Sequence, residues 1–424
     1  MIEVGIAFLV LFALLALSIP VSFALLLATL VGLALVGDFP LQIVAQTAYS
    51  PSSDFMLLAI PFFILTADLL ASGKLGQSVI GLATKLVGRY RGGVGQTSIA
   101  TSVVFSGVSG SAVADAAGLG SVLIPWSTKV GYPAPFAAAV NSSTSILGII
   151  LPPSIPMILF ASASGVSIAA LFVAGIVPGV ILAFAFAIVC WTVAVKEGFP
   201  RTRLKFTIKS LLKDLLLAMP AILMPVIMIR VVLLGGIATV TEVSVLSALY
   251  AIIVRVVFYR DLPMRDFLRS IVNAAASTGV VMLLIMMSSS LSWFLTVQQA
   301  PQQLATMFIE NVSSPFLILL VLNLVLLLVG TFLDLSPAIL LLTPVFMPLA
   351  TAIGMDPIQL GIIMILNLGV GLFTPPVGTT LYISSSIAKV PIERTVKALV
   401  PFYAASIVVL VLVTYVPQVT SFFR

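Results

Sequence analysis

The sequence predicts an all-α polytopic membrane protein built as an inverted-topology repeat, with two re-entrant hairpins and two broken helices. Three observations predict it: an apolar content that no water-soluble domain carries, a self-match of glycines and prolines at one fixed offset, and basic residues crowded into particular loops. Of 424 residues, 61% are apolar and 8% charged, with a mean hydropathy of +1.26. A surface that apolar precipitates in water, so lipid is the solvent of this chain. Runs approaching the roughly 20 residues that cross a bilayer core of about 30 Å recur from end to end, among them Leu215 to Leu234, Phe316 to Val329 and Ala398 to Val416. The first 36 residues cross once or twice around Pro20. Met1-Ile2-Glu3 lacks the basic region and small-residue cleavage site of a secretory signal and reads as mature membrane domain. The single cysteine, Cys190, lies in an apolar run and has no partner for an internal disulfide.

The repeat appears when the sequence slides on itself by 223 residues without gaps. Gly107 then falls on Gly330, Pro125 on Pro348, Gly131 on Gly354, Gly148 on Gly371, and Pro152-Pro153 on Pro375-Pro376. Ser162 meets Ser385 and Pro178 meets Pro401. Glycine and proline dictate backbone shape, so the match describes a repeated architecture. The halves divide as 1–214 and 215–424.

Charge makes the repeat inverted. Lys74, Lys85, Arg89, Arg91 and Lys129 flank the segment Gly95 to Thr128, whereas the matching flanks of the second copy carry Glu310 and Asp356 and no cation. By the positive-inside rule the first segment opens to the cytoplasm and the second to the outside. The net charge of +6 would suggest nucleic acid in a soluble protein. Here it marks cytoplasmic loops instead, and no nucleic-acid partner is expected. Lys196, Arg201, Arg203, Lys205, Lys209 and Lys213 crowd one linker, and Arg255, Arg260, Arg265 and Arg269 another. Between them Leu215 to Leu234 and Val240 to Ile253 form an out-and-back pair turning at Gly235-Gly236.

Each copy holds the same parts in order. The first has an interfacial arm helix (74–91), a hairpin (95–129) and a broken helix (132–163). The second has an arm (298–314), a hairpin (316–350) and a broken helix (357–388). In the first arm Lys74, Gln77, Ser78, Lys85 and Arg89 share one face and Leu75, Val79, Leu82, Leu86 and Tyr90 mainly the other, which suits a helix lying in the interface. Thr97 to Phe105 makes about 14 Å of helix, too short to cross, so it is half of a hairpin. Its tip is Ser106 to Ser111, and the second tip is Gly330 to Pro337. A Pro-Pro pair removes two amide donors and pushes the preceding residue away from helix, so both long segments unwind there. Unwound backbone at membrane depth survives where it packs in protein or lines a polar cavity, which makes Ser145, Pro152, Pro153, Pro375 and Pro376 expected linings of a substrate site.

The inventory for chemistry is short. There is no histidine, the lone cysteine has no base beside it, and no Asp/Glu/Cys set has metal-ligand spacing, so hydrolytic, redox and zinc mechanisms lack their groups. No phosphate-gripping glycine loop followed by Lys-Ser/Thr is present. The chain reads as no enzyme, with no cofactor beyond Na+ as a coupling ion. Hydroxyls and carbonyls at tips and breaks are what transporters offer a small hard cation. An aspartate deep in an apolar segment costs about 3 kcal/mol unless a cation or donor compensates it, which makes Asp334 the strongest single pointer. Two readings of it stay open, a cation ligand and a cap of the following half-helix. The serines at 106, 109 and 111 have the same ambiguity between ligands and small residues that let helices pack, as does the run Asn141 to Ser145 between ligands and interhelical hydrogen bonds. Glu242 and Asp68 lie near span ends and read as structural. Apart from Arg230 no Lys or Arg lies inside the apolar segments. The charge of a carboxylate substrate then falls to helix N-termini and to bound sodium, which predicts sodium-dependent, electrogenic transport.

These residues resemble the large (DctM-type) subunit of tripartite ATP-independent periplasmic (TRAP) transporters. The resemblance lies in AIPFF (59–63), FSGVSGSAVADAAGLGSVLIP (105–125), GYPAPFAAAV (131–140), LGIILPPSIPMILF (147–160), FVAGIVPGVI (172–181), GGIATVTEV (235–243), GTFLDLSPAILLLTPVFMP (330–348) and GLFTPPVGTTLYISSSIA (371–388). It implies an elevator-type transporter of the ion transporter superfamily, in which hairpins and broken helices move against a scaffold. It implies a bacterial inner-membrane location, a separate small four-helix subunit, and a periplasmic substrate-binding protein. The substrate implied is a carboxylate such as a C4-dicarboxylate, sialic acid or a related acid. Family sodium sites lie between tips and breaks, which maps onto Ser106, Ser109, Ser111 and Gly148, and onto Asp334, Thr374, Gly378 and Thr379. The chain departs from the family at Thr239-Val240-Thr241-Glu242-Val243, where TPTEA is usual. Two other readings stand beside this one: a self-sufficient sodium/anion symporter of the same architecture, and a channel or assembly scaffold, which needs no paired hairpins.

Overall fold

The computed structural model describes residues 2–37, 40, 42–71, 73–200, 208–227, 236–312, 314–422. Among them every regular element is helical. Arg201, Arg203, Lys205, Arg230 and Gly235, which the charge and turn arguments use, lie outside the described residues.

The chain opens with α1 (Ile2–Ala16) and α2 (Val21–Val36), packed on each other, so Pro20 separates two helices. After α3 (Gln42–Tyr49) come α4 (Ala59–Ala71) and the arm α5 (Lys74–Val87). The arm buries Leu75, Val79 and Leu82, but Leu86 and Tyr90 are exposed, and Lys85 pairs with Asp214 at 2.7 Å. The first hairpin is α6 (Gly93–Ser109) and α7 (Ala112–Val130). Its first arm is 17 residues, about 25 Å, rather than the short piece from Thr97 that the sequence suggests. Glycine at its start lets the helix lie close against the later helix that holds Cys190: a Cβ on Gly95 would sit 2.6 Å from Cys190 Sγ. The helix also runs on through Ser106, so the tip shrinks to Gly110 and Ser111.

The first broken segment is α8 (Ala134–Thr144), the short α9 (Leu147–Ile150) and α10 (Ile155–Ser164), bent by 44°. Then follow α11 (Ile168–Lys196), α12 (Ile208–Val226), and α13 (Val240–Ile253), which continues as a wider π turn over Val254–Tyr259. Thr239 and Glu242 form a reciprocal capping box at the start of α13, with Thr239 N donating to the Glu242 carboxylate at 2.7 Å. The turn is thus secured without the proline usual there. α14 (Met264–Val297) and α15 (Ala300–Asn311) lead to the second hairpin, α16 (Pro315–Phe332) and α17 (Leu335–Ala352). The second broken segment is α18 (Pro357–Gly371) and α19 (Thr379–Ala388), and α20 (Ile392–Tyr415) closes the bundle.

Among the described residues six helices are long and apolar enough to span a membrane, and up to eight spans result if each bent pair counts as one. The contacts repeat at the same offset as the sequence. α7 packs on α19, and its counterpart α17 packs on α10, the counterpart of α19. Arg255 departs from the linker reading. It is 2% exposed on the last turn of its span, where it bonds Asp261 Oδ1 at 3.3 Å and the Leu69 carbonyl at 3.2 Å. Burial obliges that guanidinium to pair, and Asp261 lies close enough in sequence to do it.

Candidate functional site

At each Pro-Pro pair the helix has no amides to continue its ladder, and the chain extends until the next N-cap restarts it. Both Pro-Pro peptide bonds are cis. Each break is stitched to its own hairpin tip by one backbone bond: Ile155 N donates to Gly110 O at 3.3 Å, and Val377 N to Thr331 O at 3.2 Å. The close approach needs glycine. Gly110 has φ +59°, and a Cβ there would lie 2.9 Å from the Pro153 carbonyl oxygen.

Around the first break the chain is buried without interruption from Phe136 to Ala161. Ser154 caps α10, accepting from Met157 N at 3.3 Å, and Ser111 caps α7, accepting from Ala114 N at 3.4 Å. Ser106 donates to Val103 O at 2.7 Å and Ser145 to Ser142 O at 2.8 Å. Those hydroxyls therefore serve local backbone. Asn141 Nδ2 donates to Ala116 O and to Ser384 Oγ, both at 2.9 Å, and Ser142 meets Thr380 at 3.2 Å, so the polar run ties the two halves together.

The residue that sequence reasoning misses is Asp115. It is 2% exposed; the Ser109 hydroxyl interacts with its carboxyl group, but no hydrogen bond of normal geometry reaches Oδ2. Gly148 faces it so closely that a Cβ there would lie 2.6 Å from that oxygen and 3.4 Å from Ser109 Oγ. Ser109, Asp115 and Gly148 thus converge on one buried point. An ionised carboxylate in that setting demands a positive charge beside it. The signal for it is in the sequence, because Asp115 obeys the rule that singles out Asp334, but its place in the first turn of a helix suggests a cap.

At the second tip Asp334 occupies the N-cap position of α17 yet makes no capping hydrogen bond. Position N3 of that helix is Pro337, which has no amide to offer. The residue is exposed, although its carboxyl group is largely enclosed by surrounding protein. The Leu335 amide and the Thr379 hydroxyl both interact with the carboxylate, but neither contact has normal hydrogen-bond geometry. Thr374 donates to Val370 O at 2.7 Å, and Gly378 takes φ +34° to start α19.

A cavity of about 440 Å³ lies between these tips and the helices α4 and α14. Its polar lining includes Ser109, Ser111, Asp334 and Ser336 from the tips, and Asp68, Asn273 and Ser277 from the facing helices. Asp68, read from sequence as structural, is therefore part of the cavity. Ser145, Pro152, Pro153, Pro375 and Pro376 do not line it. Among the described residues lining it there is no Lys or Arg. The described residues also hold no cluster of three or more His, Cys, Asp or Glu fit for a transition metal.

Residues 8–419 match the family described as the DctM component of the tripartite ATP-independent periplasmic transporter. The chain is 35% identical to the sialic acid TRAP transporter large permease SiaM of Vibrio cholerae, over 95% of its own length and 94% of that protein. It is 34% identical to the 2,3-diketo-L-gulonate TRAP transporter large permease YiaN of Escherichia coli, with the same coverage. In fold it is similar to the Alcanivorax borkumensis YdaH transporter, with a TM-score of 0.63 at 14% identity, over 92% of this chain and 90% of that one. With its apolar spans, the chain is a multi-pass protein of the bacterial inner membrane, and it belongs to the DctM family of TRAP transporter large permeases.

Proposed function

We propose that this TRAP large permease moves a small carboxylate inward with sodium, the two ions meeting at the cavity between the hairpin tips. The observation that carries the reading is a carboxylate pair in a cation-free setting. Asp115 is buried with no cation beside it among the described residues and only a weak contact from the Ser109 hydroxyl at Gly148, and Asp334 faces the cavity without a capping hydrogen bond. Sodium beside each would neutralise them and give an anionic substrate the positive charge that no described lining side chain supplies. The first sodium site then comprises Ser109 and Asp115 at Gly148, with Ser106 and Ser111 as structural neighbours. The second comprises Asp334 and Thr379 with Thr374 and Gly378.

The offset match and the exchanged helix contacts support an inverted repeat, 1–214 against 215–424, with the hairpins and broken helices as the moving body and α4 and α14 as the scaffold beside it. That is an elevator arrangement. Relatives named for sialic acid and 2,3-diketo-L-gulonate favour an organic acid as substrate. A separate four-helix small subunit and a periplasmic binding protein complete the assembly. The test is uptake into proteoliposomes holding the chain, its small subunit and a candidate binding protein. Uptake is expected only with an inward sodium gradient and with the binding protein present. Undiminished uptake without sodium sinks the coupling, and uptake without the binding protein favours a self-sufficient symporter.

A further inference from the structure

A second cavity, of about 470 Å³, lies away from the tips, at the corner where α5 turns into α6 against the end of α11. Val87, Arg89, Tyr90, Arg91, Gln96 and Trp191 line it. Two guanidinium groups share this space, and no Asp or Glu is among the described lining residues. Arg89 lies 5.0 Å over the Tyr90 ring and donates to its hydroxyl at 3.0 Å, which holds the fork in place. Gln96 donates to Ala187 O at 2.7 Å, tying α6 to α11 along the cavity edge.

Position in the bilayer identifies the anion. Trp191 precedes Lys196, the basic residue of the last turn of α11, by five residues, about 7.5 Å, so the cavity lies at the interface on the side of the basic loops. Running from it toward the apolar middle of α11 are Trp191, Ile188 and Phe184, 54%, 61% and 67% exposed, on one helical face. A guanidinium pair at the end of an exposed apolar track fits a phosphodiester headgroup with its acyl chain, whereas a free anion has no use for the track.

We propose that this corner is a binding site for an anionic phospholipid of the leaflet facing the basic loops, its phosphate between Arg89 and Arg91 and one chain along Phe184, Ile188 and Trp191. The bound lipid braces a tight joint. Gly92 has φ +73°, and a Cβ there would lie 2.7 Å from the Cys190 carbonyl oxygen, so the turn leading into the first hairpin sits hard against α11. The site stands independently of sodium coupling, and its test reads lipid rather than transport.

Native mass spectrometry of the protein released from phosphatidylcholine vesicles containing about one-fifth phosphatidylglycerol is expected to show phosphatidylglycerol retained. Retention is expected to fall about tenfold or more in the double variant Arg89→Gln, Arg91→Gln. Equal retention in that variant overturns the proposal, as does displacement of the lipid by millimolar inorganic phosphate, which would mark a free-anion site. Should the double variant fail to insert, a Trp126→Phe, Trp293→Phe background leaves Trp191 as the sole tryptophan. Stronger quenching by brominated phosphatidylglycerol than by brominated phosphatidylcholine supports the site, and equal quenching refutes it.

Discussion

The two helix breaks share a backbone device and differ in what surrounds it. Around Pro152-Pro153 every residue from Phe136 to Ala161 is buried, whereas Pro375, Pro376 and Val377 are exposed. The carboxylates differ in the same sense. Asp115 lies one turn inside the return arm, walled in, and Asp334 stands at its tip facing the cavity. Offset by 223 residues, Asp334 corresponds to Ser111 and Asp115 to Ala338, so the charges occupy non-equivalent places on equivalent frames. Under the repeat proposed above, glycine and proline keep the shape of the two halves alike while their polar residues differ. In the function proposed above, the sealed break holds a cation deeply and the open one meets the substrate.

Removing either charge should have the largest effect. Asp115→Asn keeps the shape and deletes the charge. Sodium-driven uptake should fall by about a hundredfold or more, equivalent to about 2.7 kcal/mol. Asp334→Ala should likewise insert and lose sodium-coupled uptake. The two separate in binding: sodium should raise the melting temperature of Asp334→Ala more than that of Asp115→Asn, because the sealed site survives only in the former. Near-wild-type sodium dependence in Asp334→Ala would return that residue to a structural role.

The paired glycines sharpen the contrast. A methyl group on Gly148 meets Asp115 Oδ2 at 2.6 Å, a side-chain atom that can shift. Gly148→Ala should therefore fold and raise the sodium concentration for half-maximal uptake by about tenfold, at an overpacking cost of about 1–3 kcal/mol. At the equivalent Gly371 the methyl would meet the backbone carbonyl of Gly330, which cannot yield. Gly371→Ala should fail to accumulate in the membrane. Equal phenotypes for the two would remove the distinction between a ligand-facing glycine and a packing one.

Much of this frame is legible in the sequence because proline and glycine act locally. The breaks fall at Pro152-Pro153 and Pro375-Pro376, and Gly110 turns the first tip. What is not legible depends on distant neighbours. Position 95 needs glycine because Cys190, nearly a hundred residues later, lies against it. Asp115 stands out only once Gly148 is folded over it, and Asp68 joins the cavity only when α4 packs beside the tips. Arg255 looks like a loop cation until Asp261 and the Leu69 carbonyl close around it.

The smallest effect expected is at Ser111, the counterpart of Asp334. The resemblance to TRAP permeases maps a sodium ligand there, but its hydroxyl accepts from Ala114 N at 3.4 Å and caps α7. A cap of that kind contributes about 1 kcal/mol to its helix. Ser111→Ala should lower the melting temperature by only about 1 °C, move uptake by less than about threefold, and leave the sodium requirement unchanged. Ser111→Asp with Asp334→Ser extends the test by exchanging the residues between the frames. A capping carboxylate at 111 has the free amide of Ala114 to bond, whereas at 334 Pro337 leaves that place empty, so the exchanged protein should regain helix stability without regaining sodium coupling. Restored coupling would mean that the two tips are interchangeable and that the burial around the first break contributes nothing to cation binding.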